Sequence, residues 1–525
     1  MTKMHVWAAV GAFAAVVAIG AGFRLIELDE RPFHGDEANQ AHKAGVLLEE
    51  GEYRYDPEEH HGPTLYYFSL PFLWASGAST FAETDATTFR LLPAVFSIAL
   101  VLLVWPFGSH LGRWELLFAG LLVALSPSLA YYGRYFIQET LLVFFTFAAI
   151  LSGWRYLQHP SWPWALVTGL CLGLMHATKE TCIILYAAMA AGIAGCWLWN
   201  RLDARAPWEG GVTLSSLSKK HIGLIVGAGL VVSVVLFSSF FTHWRGPLDS
   251  ILTYTHYVER AEGAEIHEHP WHFYWQTLLY WSEPRAPVWS EALIVGLAVL
   301  GVGAAVFPHR KDAGLHLLRF LALFTIVTAL VFTLIPYKTP WNMLTFVYGM
   351  ALLGGPGLFA AVRWLRHWSL QGILIVAVAA ATVQLGMQAH RTVFEYAADF
   401  ENPYAYGHTT GQISRLVDSM EDIAAAAPDG KETIIFVIEP EGDYWPLPWY
   451  LREFSNVGYF EDIPDRIDVP IIITKPEYGR SIEEFLEGEY RTQMHGLRPG
   501  VSLLMFVEDD LWEAFMEHRR AERAG

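Results

Sequence analysis

Two adjacent carboxylates, Asp36 and Glu37 in the run His34-Gly35-Asp36-Glu37-Ala38, lie just after the first apolar block of the chain. A carboxylate at a membrane boundary can take a proton from a hydroxyl, and a second one beside it can orient the first or bind a polar substrate. Adjacent acids are also commonly a solvated helix start, and 38–48 has the composition of an interfacial helix that acids would cap. A second group is Arg134 and Glu139 in Tyr132-Gly133-Arg134-Tyr135-Phe136-Ile137-Gln138-Glu139, between two apolar blocks. Charges at membrane depth are costly unless paired or functional, so this pair marks either a site or an ion pair. Lys179-Glu180 interrupts an otherwise apolar hairpin, where a polar turn is needed in any case. Lys338 sits in Ile335-Pro336-Tyr337-Lys338-Thr339-Pro340-Trp341-Asn342. Two prolines there deny the backbone a helix, so the lysine is expected on a stiff turn at the aqueous boundary, where a cation suits a phosphate. His60-His61-Gly62-Pro63 offers imidazoles, but no HExxH-like spacing accompanies them, and a divalent metal is left open.

The elements that position these residues are apolar blocks. The chain of 525 residues is 53% hydrophobic and 14% aromatic. Blocks of roughly twenty apolar residues begin at 5–23 and recur at 90–109, 114–132, 137–157, 163–178, 181–199, 222–242, 288–308, 315–336, 342–363 and 369–388, each long enough to cross about 30 Å of hydrocarbon. About eleven transmembrane helices are therefore expected, the first uncleaved although Ala18-Ile19-Gly20-Ala21 offers small residues. The net charge is −18, and the part from Gln388 onward, with 27 acidic and 12 basic residues, supplies 15 of it. Nucleic-acid binding is disfavoured. Cys171, Cys182 and Cys196 all fall in apolar blocks, so no disulfide framework is expected.

Basic residues in short loops set orientation. Arg113, the group Arg201, Arg205, Lys219 and Lys220, the pair Arg310 and Lys311, and the pair Arg363 and Arg366 all become cytoplasmic if the N-terminus is inside and 64–79 does not cross. That segment, with Pro71, is read as interfacial or re-entrant. Every candidate residue above then collects on the outer side, with a first outer loop at 27–88 and a large one at 243–287. The latter is dense in aromatics and histidines, among them Tyr254, His256, Tyr257, His267, His269, Trp271, Tyr274, Trp275 and Trp281, suited to a sugar cleft or, for the Trp residues, an interfacial belt. Residues 1–388 form the membrane domain. Residues 389–525 form an extracytoplasmic α/β domain, with strands at 433–438, 469–474 and 501–507 and helices near 411–427, 481–486 and 510–523. It has no phosphate-binding glycine loop and no nucleophile elbow. Its 445–449 run, WPLPW, is expected either to pack back onto the membrane part or to fill the domain's own core.

With these residues assembled, the chain resembles the membrane glycosyltransferases of the GT-C class, and within them the protein O-mannosyltransferase-like, family 39-like group. The resemblance rests on the acid pair Asp36-Glu37, Arg134 with Glu139, Lys179 and the Lys338 turn. HGDEA, HGP, YKTPWN, NPYAYGHT (402–409) and YWPLPWYLR (444–452) are similar to an archaeal and bacterial family named for association with flippase activity. The chain lacks the large domain that eukaryotic mannosyltransferases insert in the loop at 243–287. The resemblance implies transfer of a hexose such as mannose from a polyprenyl- or dolichyl-phosphate carrier to a glycan or protein acceptor at the outer face, with inversion. The implied roles are Asp36 as general base and Glu37 orienting it or the sugar. Arg134, Lys179 and Lys338 would bind the lipid phosphate, with Glu139, Tyr337 and His61 beside them; Glu139 holds Arg134 or shares a metal with Asp36. The alternative is a flippase or flippase-associated subunit without transferase activity.

Overall fold

The structure is a computed structural model that describes residues 3–58, 61–203, 217–263, 267–284, 286–309, 313–442 and 444–524; Arg205, Arg310, Lys311 and His60 lie outside them. Among the described residues eight helices are long and apolar enough to cross a membrane: Trp7–Leu25, Ala86–Leu111, Glu139–Gln158, Cys182–Leu202, Lys219–Phe237, Ala313–Leu334, Pro340–Trp364 and Trp368–Glu395. The protein is a multi-pass membrane protein. Of the about eleven expected apolar blocks, three form shorter helices, Arg113–Leu125 of 13 residues and Trp162–His176 and Ala292–Val306 of 15 each. At 1.5 Å per residue these measure only about 20–23 Å. In the first case the cause is local, since Ser126-Pro127 ends one helix and caps the next, Pro127–Tyr132. The freed carbonyls of Val123 and Ala124 receive the buried guanidinium of Arg24 at 3.1 Å each.

The helices approach closely where glycine permits. A Cβ on Gly357 would run into the Leu297 carbonyl, which is why the Ala292–Val306 and Leu344–Trp364 helices pack backbone to backbone. The segment 64–79 forms the 13-residue helix Thr64–Ser76, which contains Pro71 and is shorter than the eight long apolar helices. Its start is anchored by the HGP motif. A Cβ on Gly62 would strike the Ala177 carbonyl, and Thr64 N donates to that same oxygen at 3.0 Å.

The two ends of the bundle differ. At one, Arg363 pairs with Glu115 at 3.0 Å, Arg319 with Asp203, and Arg155 donates to the Pro106 carbonyl at 2.9 Å. At the other, the first loop, the turns at 131–138, 178–181 and 336–341, and the large loop meet one another and the C-terminal part. The last apolar helix continues past the expected boundary at 388 into a wider turn, Arg391–Glu395. Tyr404 and Ala405 then belong to the bundle's core. The first helix after this stretch that packs on the sheet of the C-terminal domain is Ile413–Ala426.

That domain holds five strands, β1 (Ile435–Ile438), β2 (Val457–Phe460), β3 (Ile471–Thr474), β4 (Tyr490–Arg498) and β5 (Val501–Glu508), in the order β2-β1-β3-β5-β4. β1 runs parallel to β2 and β3, while β5 is antiparallel to β3 and β4. Central β3 is buried on both faces and reads as a continuous apolar run, Ile471 and Ile473 meeting the helices while Ile472 faces Ile438 and Phe506. β1, β3 and β5 match the expected strands; β2 and β4 are additional.

Candidate active site

The acid pair is split by its helix. Gly35–Glu50 begins at His34, whose extended backbone and imidazole cap it: His34 Nδ1 accepts from Asp36 N at 3.0 Å, and Glu37 Oε2 accepts from His34 N at 3.1 Å. Successive residues of a helix point about 100° apart, so the two carboxylates meet different surroundings. Glu37 is fully buried. It receives Arg31 at 3.0 Å, Arg90 through two nitrogens at 3.0 Å each, and the Phe136 amide at 3.1 Å. Burial by itself raises this carboxyl's pKa, but the two guanidiniums outweigh it and hold it well below the usual carboxylate range. Glu37, expected to orient Asp36 or the sugar, is thus a buried residue whose carboxylate is taken up by Arg31, Arg90 and two backbone amides. Asp36, with its side chain 51% exposed, has the His34 ring at 3.9 Å, and its charge also acts on the side chains of His267 and Arg498.

Arg31 and Arg90, which hold Glu37, are residues that the sequence motifs did not single out. Arg31 also bonds His408 Nε2 at 2.8 Å and the Arg134 carbonyl at 3.0 Å, and its guanidinium lies 3.9 Å over the Tyr135 ring. An arginine donates only, so His408 Nε2 is the acceptor and its Nδ1 carries the proton given to the Thr409 carbonyl at 2.8 Å. Burial, then Arg31, keeps His408 neutral by pushing its pKa well down. For Arg90, at the start of the apolar block 90–109, position is itself a signal, since an arginine at membrane depth must have a partner.

The other expected charges divide differently from the sequence reading. Arg134 does not pair with Glu139. Its guanidinium donates to the carbonyls of Phe23 at 3.2 Å, Ile26 at 2.5 Å and Glu27, closing the end of the first helix. Arg134→Met is expected to lower thermal stability by about 1–3 kcal/mol, the cost of buried carbonyls left unsatisfied, while turnover per folded molecule holds; a melting curve in detergent beside an activity assay checks both. Lys338 is 1% exposed, and its ammonium is occupied by the carbonyls of His269 at 3.0 Å, Pro336 at 3.4 Å and Ile335. It stabilises its own turn and the neighbouring loop instead of presenting a cation to water. Glu139 turns to Lys179, with which it forms a buried ion pair; it does not meet Asp36. Burial lowers the Lys179 pKa, but Glu139 prevails and raises it. Beside this pair, Glu180 accepts from His61 Nδ1 at 2.9 Å and Tyr55 at 3.4 Å, and Glu139 Oε2 is buried without a hydrogen-bond partner. Tyr337 is 38% exposed on the lysine turn, its ring 5.0 Å from that of His267. Among the described residues no three His, Cys, Asp or Glu side chains converge as a metal would require.

The C-terminal part closes over this end. Trp449 stacks on Phe33 with ring centroids 4.0 Å apart, and the Tyr450 hydroxyl accepts from Phe33 N at 2.9 Å. Leu447 and Leu451 of the same run enter the sheet core. Both expected roles of the WPLPW stretch therefore hold at once. Tyr404 is fixed twice: its carbonyl accepts from the Tyr132 hydroxyl at 2.7 Å, and its own hydroxyl donates to buried Glu291 at 2.9 Å. In the large loop Trp271 is exposed, as a belt residue would be, whereas Tyr274 is buried and Trp275 donates to Thr333 at 3.1 Å. The side chains of His256 and Tyr257 lie outside the described residues.

Residues 64–245 match the family described as dolichyl-phosphate-mannose-protein mannosyltransferase. Mouse protein O-mannosyl-transferase 1 is 27% identical over 210 residues, which cover 37% of this chain and 27% of that protein; the chain thus spans about a quarter of that relative's length. Two solved structures share the fold across nearly the whole chain. ArnT from Cupriavidus metallidurans, bound to undecaprenyl phosphate, superposes with a TM-score of 0.64 at 15% identity, over 94% of this chain and 98% of its own. The Archaeoglobus fulgidus oligosaccharyltransferase tethered to an acceptor peptide gives 0.51 at 12% identity, over 98% of this chain and 77% of its own. The chain is a multi-pass membrane protein with the GT-C fold, and within that fold its residues 64–245 are similar to the dolichyl-phosphate-mannose-protein mannosyltransferase family.

Proposed function

We propose that this chain transfers a hexose, mannose being the first to test, from a polyprenyl- or dolichyl-phosphate carrier to an acceptor hydroxyl on the extracytoplasmic side of the membrane. The observation that carries the reading is the asymmetry of the acid pair: Glu37 is locked by two arginines, while Asp36 is left exposed at the end of the bundle where the loops converge. Asp36 accepts the acceptor's proton as the new carbon–oxygen bond forms. The bond from the anomeric carbon to the carrier phosphate breaks in the same displacement, which inverts that carbon. Phosphate leaves as a weak base, so a cation near it suffices in place of an acid. Lys179, paired to Glu139 but with one carboxylate oxygen unsatisfied beside it, is the candidate cation. The extracytoplasmic assignment is supported by the opposite end, where Arg113 and Arg363 lie, as expected of a cytoplasmic face.

The test is transfer of radiolabelled mannose from dolichyl-phosphate mannose by the purified full chain in liposomes, with membrane lipid and protein fractions supplied as acceptors. Label should leave the donor and appear in a new linkage. Donor that merely changes leaflet, or stays intact, overturns the reading in favour of translocation. In the same assay the Lys179→Met/Glu139→Gln double variant removes both charges without orphaning either. Its donor KM should rise about 10–100-fold, the equivalent of losing a charged hydrogen bond. An unchanged KM removes Lys179 from the phosphate site.

A further inference from the structure

His267 and His269, in the large loop, reach one atom. His267 Nδ1 and His269 Nε2 each lie 2.9 Å from the hydroxyl of Tyr406. A phenol has a single proton, so it donates to one of these nitrogens and accepts an N–H from the other, which fixes the two rings in complementary tautomers. Burial pushes the Tyr406 hydroxyl up to about 12, so the proton stays on oxygen, and burial also pushes both imidazoles down toward their neutral forms.

The backbone of Tyr406 reaches His34, the residue that caps the helix at Asp36. The Tyr406 carbonyl lies 3.1 Å from His34 Nε2, and a carbonyl only accepts, so that nitrogen carries the His34 proton. His34 Nδ1 is thereby left with the lone pair that receives the Asp36 amide at 3.0 Å. The two histidines in turn seat the lysine turn: the His267 carbonyl accepts from Lys338 N at 2.9 Å, and His269 N donates to the Pro336 carbonyl at 3.1 Å. Three stretches that are remote in sequence, at 34–36, 267–269 and 336–338, are thus joined, the first through the Tyr406 carbonyl, the second through its hydroxyl and the third through the backbone of the second.

We propose that Tyr406 is a positioning residue for the general base, its hydroxyl bridge to His267 and His269 fixing the wall that faces Asp36. The inference rests on the assignment of Asp36 given under Proposed function. It makes Tyr406 part of the active site and gives His267 and His269 a role in turnover. Holding a loop in one conformation costs conformational entropy, and a bridge that anchors two of its residues to one atom offsets part of that cost where the acceptor must be aligned.

The test measures turnover of the purified full chain in liposomes, with dolichyl-phosphate mannose as donor, for Tyr406→Phe, His269→Gln, His269→Leu and Asp36→Asn. Tyr406→Phe keeps the ring and removes the bridge; its kcat should fall on the order of 10–100-fold while donor KM stays within about twofold. His269→Gln places an amide near the position of Nε2 and should retain more turnover than His269→Leu. Wild-type kcat in Tyr406→Phe, or equal turnover in the two His269 variants, overturns the inference. If Asp36→Asn is inactive while Tyr406→Phe turns over normally, the inference alone falls. If Asp36→Asn is fully active, the base assignment falls and the inference with it.

Discussion

Asp36→Asn is expected to lower turnover on the order of 10²–10⁴-fold, the range lost when a positioned general base is removed. The substitution is isosteric and takes away only the ability to accept a proton. The side chain is half exposed and makes no short ion pair, so stability should change by no more than about 0.5 kcal/mol. His34 caps the helix through the Asp36 backbone amide, a contact that asparagine keeps. Single-turnover transfer at saturating donor, with melting curves of both proteins, separates the outcomes. Loss of turnover with an unchanged melt supports the base assignment. Turnover within about threefold of wild type, a barrier change of under about 0.7 kcal/mol, places the base elsewhere.

The acid pair is visible in the sequence as a motif, but which acid does which work is not. That depends on Arg90, on the Phe136 amide and on the direction in which a helix starting at Gly35 turns each side chain. Composition legibly marks the apolar blocks, because burying a backbone in lipid demands long runs of apolar helix. Helix length within a block is less legible, since a Ser-Pro step such as Ser126-Pro127 can break one block into two short helices. Arg134 and Glu139 are five positions apart and of opposite sign, yet one closes the first helix and the other starts Glu139–Gln158 facing Lys179. A cation's residue type tells that it needs acceptors; only the fold shows that for Lys338 these are backbone carbonyls. In the sheet domain β4, with polar residues Arg491, Thr492 and Gln493 in succession, gives an edge strand no apolar alternation to read.

Glu37→Gln is expected to destabilise the protein by about 3–5 kcal/mol, the range for breaking a buried ion pair from one side. Two guanidiniums, those of Arg31 and Arg90, converge on this carboxylate, and both are buried. The amide keeps the shape and one acceptor oxygen but sets an NH₂ group against cations and leaves their charge uncompensated. Its effect should therefore appear as a lowered melting temperature, in contrast to Asp36→Asn next to it. The pH dependence follows from the depressed folded-state pKa. The ionised carboxylate's contribution is fully present above its unfolded value, about 4.3, and is lost only as pH falls through the lower folded value. The melting difference between wild type and Glu37→Gln should thus be constant from about pH 8 to pH 5 and narrow only in stronger acid. Equal melts at neutral pH would mean that Arg31 and Arg90 find other acceptors, such as the Arg134 and Leu28 carbonyls they already touch, and that Glu37 is not what holds the first loop in place.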